Sequence, residues 1–146
     1  MNRGLDGNLE LDDDRERIDR VEVHRWLSEV SYWAAGRARE TQERLIDTAT
    51  RVVGLYDGDR QIGFCRAASD KVSFVYLADV YVLEEYRGRG LGEALVGFML
   101  DDDELANVRW FLHTTNMHAL YRKFGFEDPD YKVMERRPSN QSSESG

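Results

Sequence analysis

Cysteine, proline and histidine are scarce in this sequence, and each scarcity excludes a class of protein. Cys65 is the only cysteine among 146 residues, so a disulfide framework, a CxxC redox pair and a thiolate metal cluster are excluded. The three histidines show no familiar metal-binding spacing, and no metal is expected. Of the two prolines only Pro129 interrupts the body of the chain, so we find no linker and expect one domain.

Positive charge and long apolar runs are also lacking. The chain has 20 Lys and Arg against 28 Asp and Glu, which gives a net charge of −8. Because nucleic-acid binding depends on neutralising phosphates with Lys and Arg, no nucleic-acid partner is expected, and a role on DNA or charged tRNA is disfavoured. No apolar run approaches the ~20 residues of a membrane span, and residues 1–14 contain no apolar signal segment. We therefore expect a cytoplasmic protein with no membrane partner.

The two ends of the chain are polar, and what lies between them is patterned. Residues 1–13 and 138–146 are rich in Gly, Ser or Asp, and we expect both to be flexible termini around a domain over 14–137. The predicted elements are helices over 23–30 and 37–48, strands over 51–56 and 61–67, a strand over 73–83, a helix from Leu91 to Met99, a strand over 108–112, a helix over 117–124 capped by Asn116, and a strand over 131–136. Asp57-Gly58-Asp59 predicts a hairpin turn, and the strand over 73–83 is apolar on both faces near Val80, which is typical of a central strand. This order predicts an α+β fold around a mixed sheet.

A glycine-rich turn, Arg87-Gly88-Arg89-Gly90-Leu91-Gly92, follows the central strand and opens the next helix. Glycines allow the backbone to approach an anion closely, and free N–H groups at a helix start attract phosphate. The Rossmann fingerprint is excluded because Glu93 stands where its third glycine is required, and no Walker A triplet is present.

Two motifs together resemble the GNAT superfamily of N-acetyltransferases. The segment from Val82 to Gly92 is similar to the family's acyl-coenzyme A (CoA) loop, Gln/Arg-x-x-Gly-x-Gly/Ala after a strand. Downstream, Leu120-Tyr121-Arg122-Lys123-Phe124-Gly125-Phe126 is similar to the family's Leu-Tyr-x-x-x-Gly-Phe. Two departures are Glu84, where many members carry Pro, and a shortened stretch from Asn116 to Tyr121. The resemblance covers roughly residues 15 to 137.

The resemblance implies a fold and a co-substrate. The implied fold is a GNAT-like mixed, mostly antiparallel central sheet flanked by helices, with splayed central strands forming the acyl-CoA cleft. The implied co-substrate is acetyl-CoA. The residues implied to bind it are Val80, Val82, Arg87, Gly88, Arg89, Gly90, Leu91, Gly92, Asn116 and Tyr121.

The resemblance also implies catalytic roles. Tyr121 occupies the position of the acid that protonates the leaving thiolate, although it could equally position the sulfur. A backbone N–H near Val82 would stabilise the oxyanion. Strand alternation puts Asp79 on the face away from Val82, so it could serve as a base only if a bulge turned it inward, and it could instead be a buried structural group. A water chain to Asp79, Glu29 or His24 is another route, so the base stays open.

The acceptor is expected to be a small-molecule or peptide amine. The resemblance places His24, Ser31, Tyr32 and Trp33 around it, because the first helices and their connection form one wall. His113, at the end of its strand, could line the same pocket or could instead only cap neighbouring backbone groups. Trp26, on the apolar helix face, is expected in the core, and Cys65 is expected to be buried and inert. The predicted function is direct acetyl transfer from acetyl-CoA to an amine in a ternary complex. The alternative is a non-catalytic acyl-CoA sensor, and a homodimer through sheet edges or the last strand stays open.

Overall fold

A computed structural model of the chain describes residues 1–139. The strands are β1 (Asn2–Gly4), β2 (Leu9–Asp12), β3 (Arg51–Asp57), β4 (Arg60–Ser69), β5 (Val75–Val82) and β6 (Trp110–Phe111). The helices are α1 (Arg20–Glu29), α2 (Arg39–Thr48), α3 (Leu91–Leu100) and α4 (His118–Arg122), with 3₁₀ turns at Arg15–Arg17 and Glu84–Tyr86.

The six strands form one sheet in sequence order, antiparallel except for the last pair. β5 and β6 run parallel and pair at only two positions, Val75 with Trp110 and Tyr76 with Phe111. Beyond these positions the two strands separate and leave a gap in the sheet. The predicted α+β class and mixed, mostly antiparallel sheet are confirmed, and the splay between β5 and β6 supplies the expected cleft.

Helices flank the sheet through the apolar faces that the periodicity predicts. In α1 the buried residues are Val23, Trp26 and Leu27, at the i, i+3, i+4 spacing of one helix face. Asp19 caps this helix by accepting the Glu22 N–H at 3.1 Å. The Trp26 ring stacks on Tyr81 of β5 with centroids 4.2 Å apart, which confirms Trp26 as a core residue.

The expectation that residues 1–13 are unstructured is wrong. β1 and β2 form a hairpin, and β2 extends the sheet by pairing with β3, Leu11 opposite Leu55. Leu11 is fully buried. The buried leucine and the ladders of backbone hydrogen bonds to β1 and β3 hold this otherwise polar strand, and such a strand gives little apolar signal in the sequence. Residues 140–146 of the expected flexible segment 138–146 lie outside the described residues.

The C-terminal predictions need two corrections. The strand expected over 131–136 is not formed, and Val133 and Met134 are exposed. β6 is only two residues long, so this end of the sheet offers almost no ladder for another strand to join. The short helix begins at His118 and is not capped by Asn116. The side chain of Thr114 instead accepts the N–H of Met117, the residue before the helix, at 3.0 Å.

Across residues 1–139 no helix combines the length and the hydropathy that crossing a membrane requires. The same residues contain no group of three or more Asp, Glu, His or Cys side chains placed to hold a metal ion.

Candidate active site

A cleft of about 920 Å³ opens where β5 and β6 separate and extends to the start of α3. It brings together most of the residues that the sequence singles out, from three distant stretches of the chain. From the cofactor set these are Val80, Val82, Arg87, Gly88, Gly90, Leu91, Gly92, Asn116 and Tyr121, and from the acceptor set they are Ser31, Tyr32, Trp33 and His113. Asp79 also lines the cleft, whereas His24 and Arg89 do not.

A wider groove of about 1480 Å³ lies between β6 and the segment after α4. It shares Tyr76, Leu112, His113, Thr114 and Tyr121 with the cleft, but none of the loop from Arg87 to Gly92 lines it. The cleft, which is lined by the glycine-rich loop from Arg87 to Gly92, is therefore the candidate active site.

The glycine-rich loop ends in a helix start whose backbone N–H groups have no partner. Gly90, the residue before α3, has φ +75°, in the left-handed region that favours glycine. No side chain caps this end, and in the described part of the chain the N–H groups of residues 88–92 donate no hydrogen bond. The positive end of a ten-residue helix therefore presents free donors to the cleft, which is how proteins bind phosphate.

The space in front of these glycines is open. A Cβ added at Gly88 or Gly90 would meet nothing within 4 Å, and one at Gly92 would meet only Leu120 Cδ2 at 4.0 Å. Packing within the protein thus does not require glycine at position 92. The residues present fit a pyrophosphate that lies directly against the backbone, as the CoA loop of the resemblance requires.

The two arginines of the loop differ in position. Arg87 lines the cleft, and its Nε donates to the carbonyl of Val82 at 3.2 Å, which ties the loop to the end of β5. Arg89 instead lies over the ring of Tyr86, with its guanidinium 5.3 Å from the ring centroid. Of the two side chains Arg87 therefore lines the cleft, and the expected direct contact of the Arg89 side chain with the coenzyme is not supported.

Asp79 is turned inward by a β-bulge. β4 pairs Phe64 with Tyr81 and Arg66 with Ala78, so two residues of β5 lie opposite Cys65 alone. Asp79, one of those two, adopts φ +55°, a conformation that Asp tolerates better than most residues. The bulge that an inward-facing Asp79 requires is therefore present.

The inward carboxylate is fully engaged. Its Oδ1 accepts Trp33 Nε1 at 3.0 Å, and its Oδ2 accepts Arg37 Nη1 at 2.8 Å and Arg66 Nε at 2.7 Å. Burial by itself would raise the pKa of Asp79, but the guanidiniums of Arg66 and Arg37 outweigh burial and hold the pKa below its ordinary value. A carboxylate with a lowered pKa and three donors is a poor base, so these contacts favour the structural role over the catalytic one.

Tyr121 reaches the cleft from α4 and is nearly buried, with 7% of its surface exposed. Its ring meets Phe126 edge-on, with centroids 5.6 Å apart. Burial raises the pKa of Tyr121 to about 12, so the phenol keeps its proton throughout the neutral range.

Cys65 is buried as expected, and burial also raises the pKa of its thiol, which makes it unreactive.

The raised pKa of Tyr121 predicts a loss of stability in alkali. A group whose pKa is raised on folding stabilises the fold below its unfolded value, near 10, and loses that contribution as the pH rises towards 12. At pH 11 the loss from Tyr121 is about 1 kcal/mol. We expect the urea unfolding free energy to fall less between pH 8 and pH 11 in Tyr121→Phe than in the wild type. An equal fall in both proteins would contradict the burial of this phenol.

The acceptor wall is aromatic. Tyr32 and Trp33 follow the end of α1 and meet edge-on with centroids 5.2 Å apart. The Tyr32 hydroxyl lies 2.6 Å from Thr115 Oγ1, which joins this wall to the loop before α4 across the end of the cleft. An aromatic wall of this kind attracts a cationic amine through its ring faces.

Two residues of the expected acceptor wall have structural contacts instead. His24 does not line the cleft, because its Nε2 donates to the carbonyl of Arg37 at 2.9 Å. Ser31 lines the cleft, but its hydroxyl donates to the Leu27 carbonyl at 2.6 Å and accepts the Ala34 N–H at 3.1 Å. Ser31 thus fixes the turn after α1, a role that its polar side chain at a helix end suits.

Three residues of the site were missed from the sequence: Arg37, Arg66 and Tyr76. Arg66 carries a signal that could have found it, since it is a charged residue within a strand of otherwise apolar neighbours and is expected to have a buried partner. Arg37, after a glycine, and Tyr76, within an apolar strand, give no such signal.

Comparisons with known proteins agree with this geometry. The acetyltransferase (GNAT) domain family matches residues 48–128, more than half of the chain. A mycothiol acetyltransferase of Corynebacterium efficiens is 35% identical over 112 residues, which are 72% of this chain and 37% of that protein. An acetyltransferase-like protein of Gibberella zeae is 37% identical over 76 residues, 47% of this chain and 40% of that protein. The chain therefore spans about two fifths of the length of these curated relatives.

Solved structures share the fold over most of the chain. A protein of Xanthomonas campestris assigned to the GNAT family superposes with a TM-score of 0.85 at 33% identity, covering 90% of this chain and 94% of that one. A Clostridium acetobutylicum protein described as an acetyltransferase, solved with acetyl-CoA, superposes with a TM-score of 0.66 at 15% identity, covering 88% and 96%. The second likeness concerns the fold alone. With the family match over residues 48–128, the Xanthomonas likeness and the glycine-rich helix start, we conclude that the chain belongs to the GNAT family of acetyltransferases.

Proposed function

We propose that this protein transfers an acetyl group from acetyl-CoA to a primary amine by direct attack within a ternary complex. The observation that carries the proposal is the continuous cleft that joins the free helix start of α3 to Tyr121 and to the aromatic wall. One end suits a pyrophosphate, and the other suits an amine. Acetyl-CoA, when bound, supplies the acetyl group and a thiolate leaving group.

The residues of the cleft divide the binding work. The N–H groups of residues 88–92 hold the pyrophosphate, aided by Arg87 and the dipole of α3. This local positive site offsets a net charge of −8, which otherwise repels the anionic coenzyme. On the side of the gap no strand in the described part of the chain pairs with residues 80–82, so the thioester arm would lie beside them as an additional strand does. The Val82 carbonyl already accepts from Arg87 Nε, which leaves the remaining backbone groups of this segment for the arm.

Tyr121 acts on the leaving sulfur as a hydrogen-bond donor. With a pKa of about 12, complete transfer of its proton to a thiolate near 8.5 would cost roughly 5 kcal/mol. A hydrogen bond that strengthens as charge develops on sulfur avoids this cost and stabilises the transition state.

Replacing Tyr121 by Phe tests this role. We expect the maximal rate of thiol release to fall at least tenfold because the donor to sulfur is lost, while the Kd for acetyl-CoA changes less than twofold. Steady-state kinetics with a saturating amine, together with calorimetric titration of acetyl-CoA, measure the two quantities. An unchanged maximal rate would remove Tyr121 from the chemistry.

The alternative function is a non-catalytic acyl-CoA sensor. It is favoured by one observation: within residues 1–139 the two carboxylates that line the cleft, Asp79 and Glu93, are both ion-paired. A sensor would bind acetyl-CoA but release no thiol in the presence of any amine. Thiol release by the wild type therefore separates the two functions.

A further inference from the structure

A tyrosine–histidine pair lies at the point where β5 and β6 separate. The Tyr76 hydroxyl is 2.9 Å from His113 Nδ1, and the two rings meet edge-on with centroids 5.6 Å apart. Tyr76 and Phe111 form the last paired position of β5 and β6, and His113 lies two residues after Phe111 in the chain. Both residues line the cleft, so the pair lies at the vertex of the gap in the sheet.

The carboxylates of the cleft are engaged elsewhere. Asp79 has a fully buried side chain that accepts from two arginines and a tryptophan. Glu93 lies on the first turn of α3, at the phosphate end of the cleft, and accepts from Lys123 Nζ at 3.1 Å. Asp79 is thus fully engaged, and Glu93 lies on the first turn of α3 at the phosphate end of the cleft, so neither is placed to take a proton from an amine beside the aromatic wall.

The buried phenols of the cleft and the other two histidines also fail as bases. Burial raises the pKa of Tyr76, Tyr81 and Tyr121, which keeps these phenols protonated. Of the remaining histidines, His24 donates to a backbone carbonyl outside the cleft, and His118 lines only the wider groove. His113 is thus the only imidazole among the described residues that line the cleft.

The position of His113 also suits the reacting atoms. This step rests on the proposed function, in which the pyrophosphate is held at Gly90 and the thioester arm runs back beside β5 towards its start. The acetyl end would then approach the vertex of the gap, and His113, Trp33 and Tyr121 all line this cleft. An amine bound against the aromatic wall would therefore lie between His113 and the acetyl group.

We infer that His113 is the general base of the transfer and that Tyr76 positions it. Nδ1–H donates to the Tyr76 oxygen, which leaves the lone pair of Nε2 directed at the substrate ammonium. Nε2 takes one proton from the ammonium and passes it to solvent. The neutral nitrogen then bonds to the acetyl carbon, the C–S bond breaks, and the second nitrogen proton goes to the departing thiolate, so the products are the amide, the free thiol and one proton.

Kinetics of four variants test the inference. We expect His113→Gln to lower kcat by about 100-fold or more, since general bases contribute roughly 10²–10⁴ in rate, with the Kd for acetyl-CoA within twofold of the wild type. His118→Gln, the matched control outside the cleft, should keep the wild-type kcat. Tyr76→Phe should lower kcat about tenfold in the wild-type background but not at all in the His113→Gln background, because a positioning residue acts only through its partner.

The outcomes separate this inference from the function on which it rests. A His113→Gln kcat within threefold of the wild type, or a change in KM for the amine alone, would overturn the role of His113 as base. A further loss of rate from Tyr76→Phe in the His113→Gln background would overturn the positioning role. Absence of amine-dependent thiol release by the wild type would instead overturn the proposed function, and this inference with it.

Discussion

Replacing Asp79 by Asn is expected to lower the free energy of unfolding by about 3–5 kcal/mol, the usual cost of removing one partner from a buried ion pair. The substitution leaves Arg37 and Arg66 buried without a counter-ion. Asn keeps the shape of Asp and tolerates the positive φ at this position, so the change removes the charge with little added backbone strain. Urea unfolding monitored by tryptophan fluorescence measures the effect.

An exposed ion pair provides the control for Asp79. Asp128→Asn makes the same chemical change in a surface pair, where Arg122 donates at 3.1 Å. Exposed pairs contribute about 0–1 kcal/mol, so this variant should unfold close to the wild type. Equal stability of Asp79→Asn and Asp128→Asn would contradict a stabilising role of Asp79 as the buried counter-ion of Arg37 and Arg66.

Replacing Gly92 by Glu is expected to weaken acetyl-CoA binding at least 100-fold. The new side chain would begin in the open space before the start of α3, where it would both occupy the phosphate site and oppose its charge. Gly92 is a better choice than Gly90, whose positive φ would add backbone strain to any substitution. An acidic residue in the first turn of a helix is itself favourable, so the fold without ligand should keep its stability.

Calorimetric titration with acetyl-CoA measures this loss, and Gly92→Ala is the matched control. A methyl group is small and uncharged, so the Kd of that variant should rise less than tenfold, while thermal unfolding without ligand should be alike in all three proteins. Binding by Gly92→Glu within threefold of the wild type would place the coenzyme somewhere other than this helix start.

What could be predicted from the sequence was local. The turn Asp57-Gly58-Asp59 and the loop from Arg87 to Gly92 are each a short run of adjacent residues, and the backbone preferences of those residues determine the local structure. The helix that follows the loop and the hairpin that precedes β5 were therefore found close to their observed bounds.

What was missed depends on contacts between distant residues. Simple alternation along β5 could not place the bulge at Asp79, since the bulge is a property of the pairing with β4. Arg37 pairs with Asp79 from 42 positions away, and Tyr76 contacts His113 from 37 positions away. Side chains paired between distant segments in this way leave no pattern in either local segment. The polar hairpin that contains β2 was missed for the same reason, because it is held by the backbone ladder to β3 and one buried leucine.

Thiol release from acetyl-CoA, measured against a mixed panel of small amines and peptides, tests the proposed function most directly. We expect the wild type to release thiol only when an amine is present and Gly92→Glu, with the same fold, to release none. No thiol release with any amine, together with an unfolding temperature that acetyl-CoA does not raise, would contradict the account at its centre.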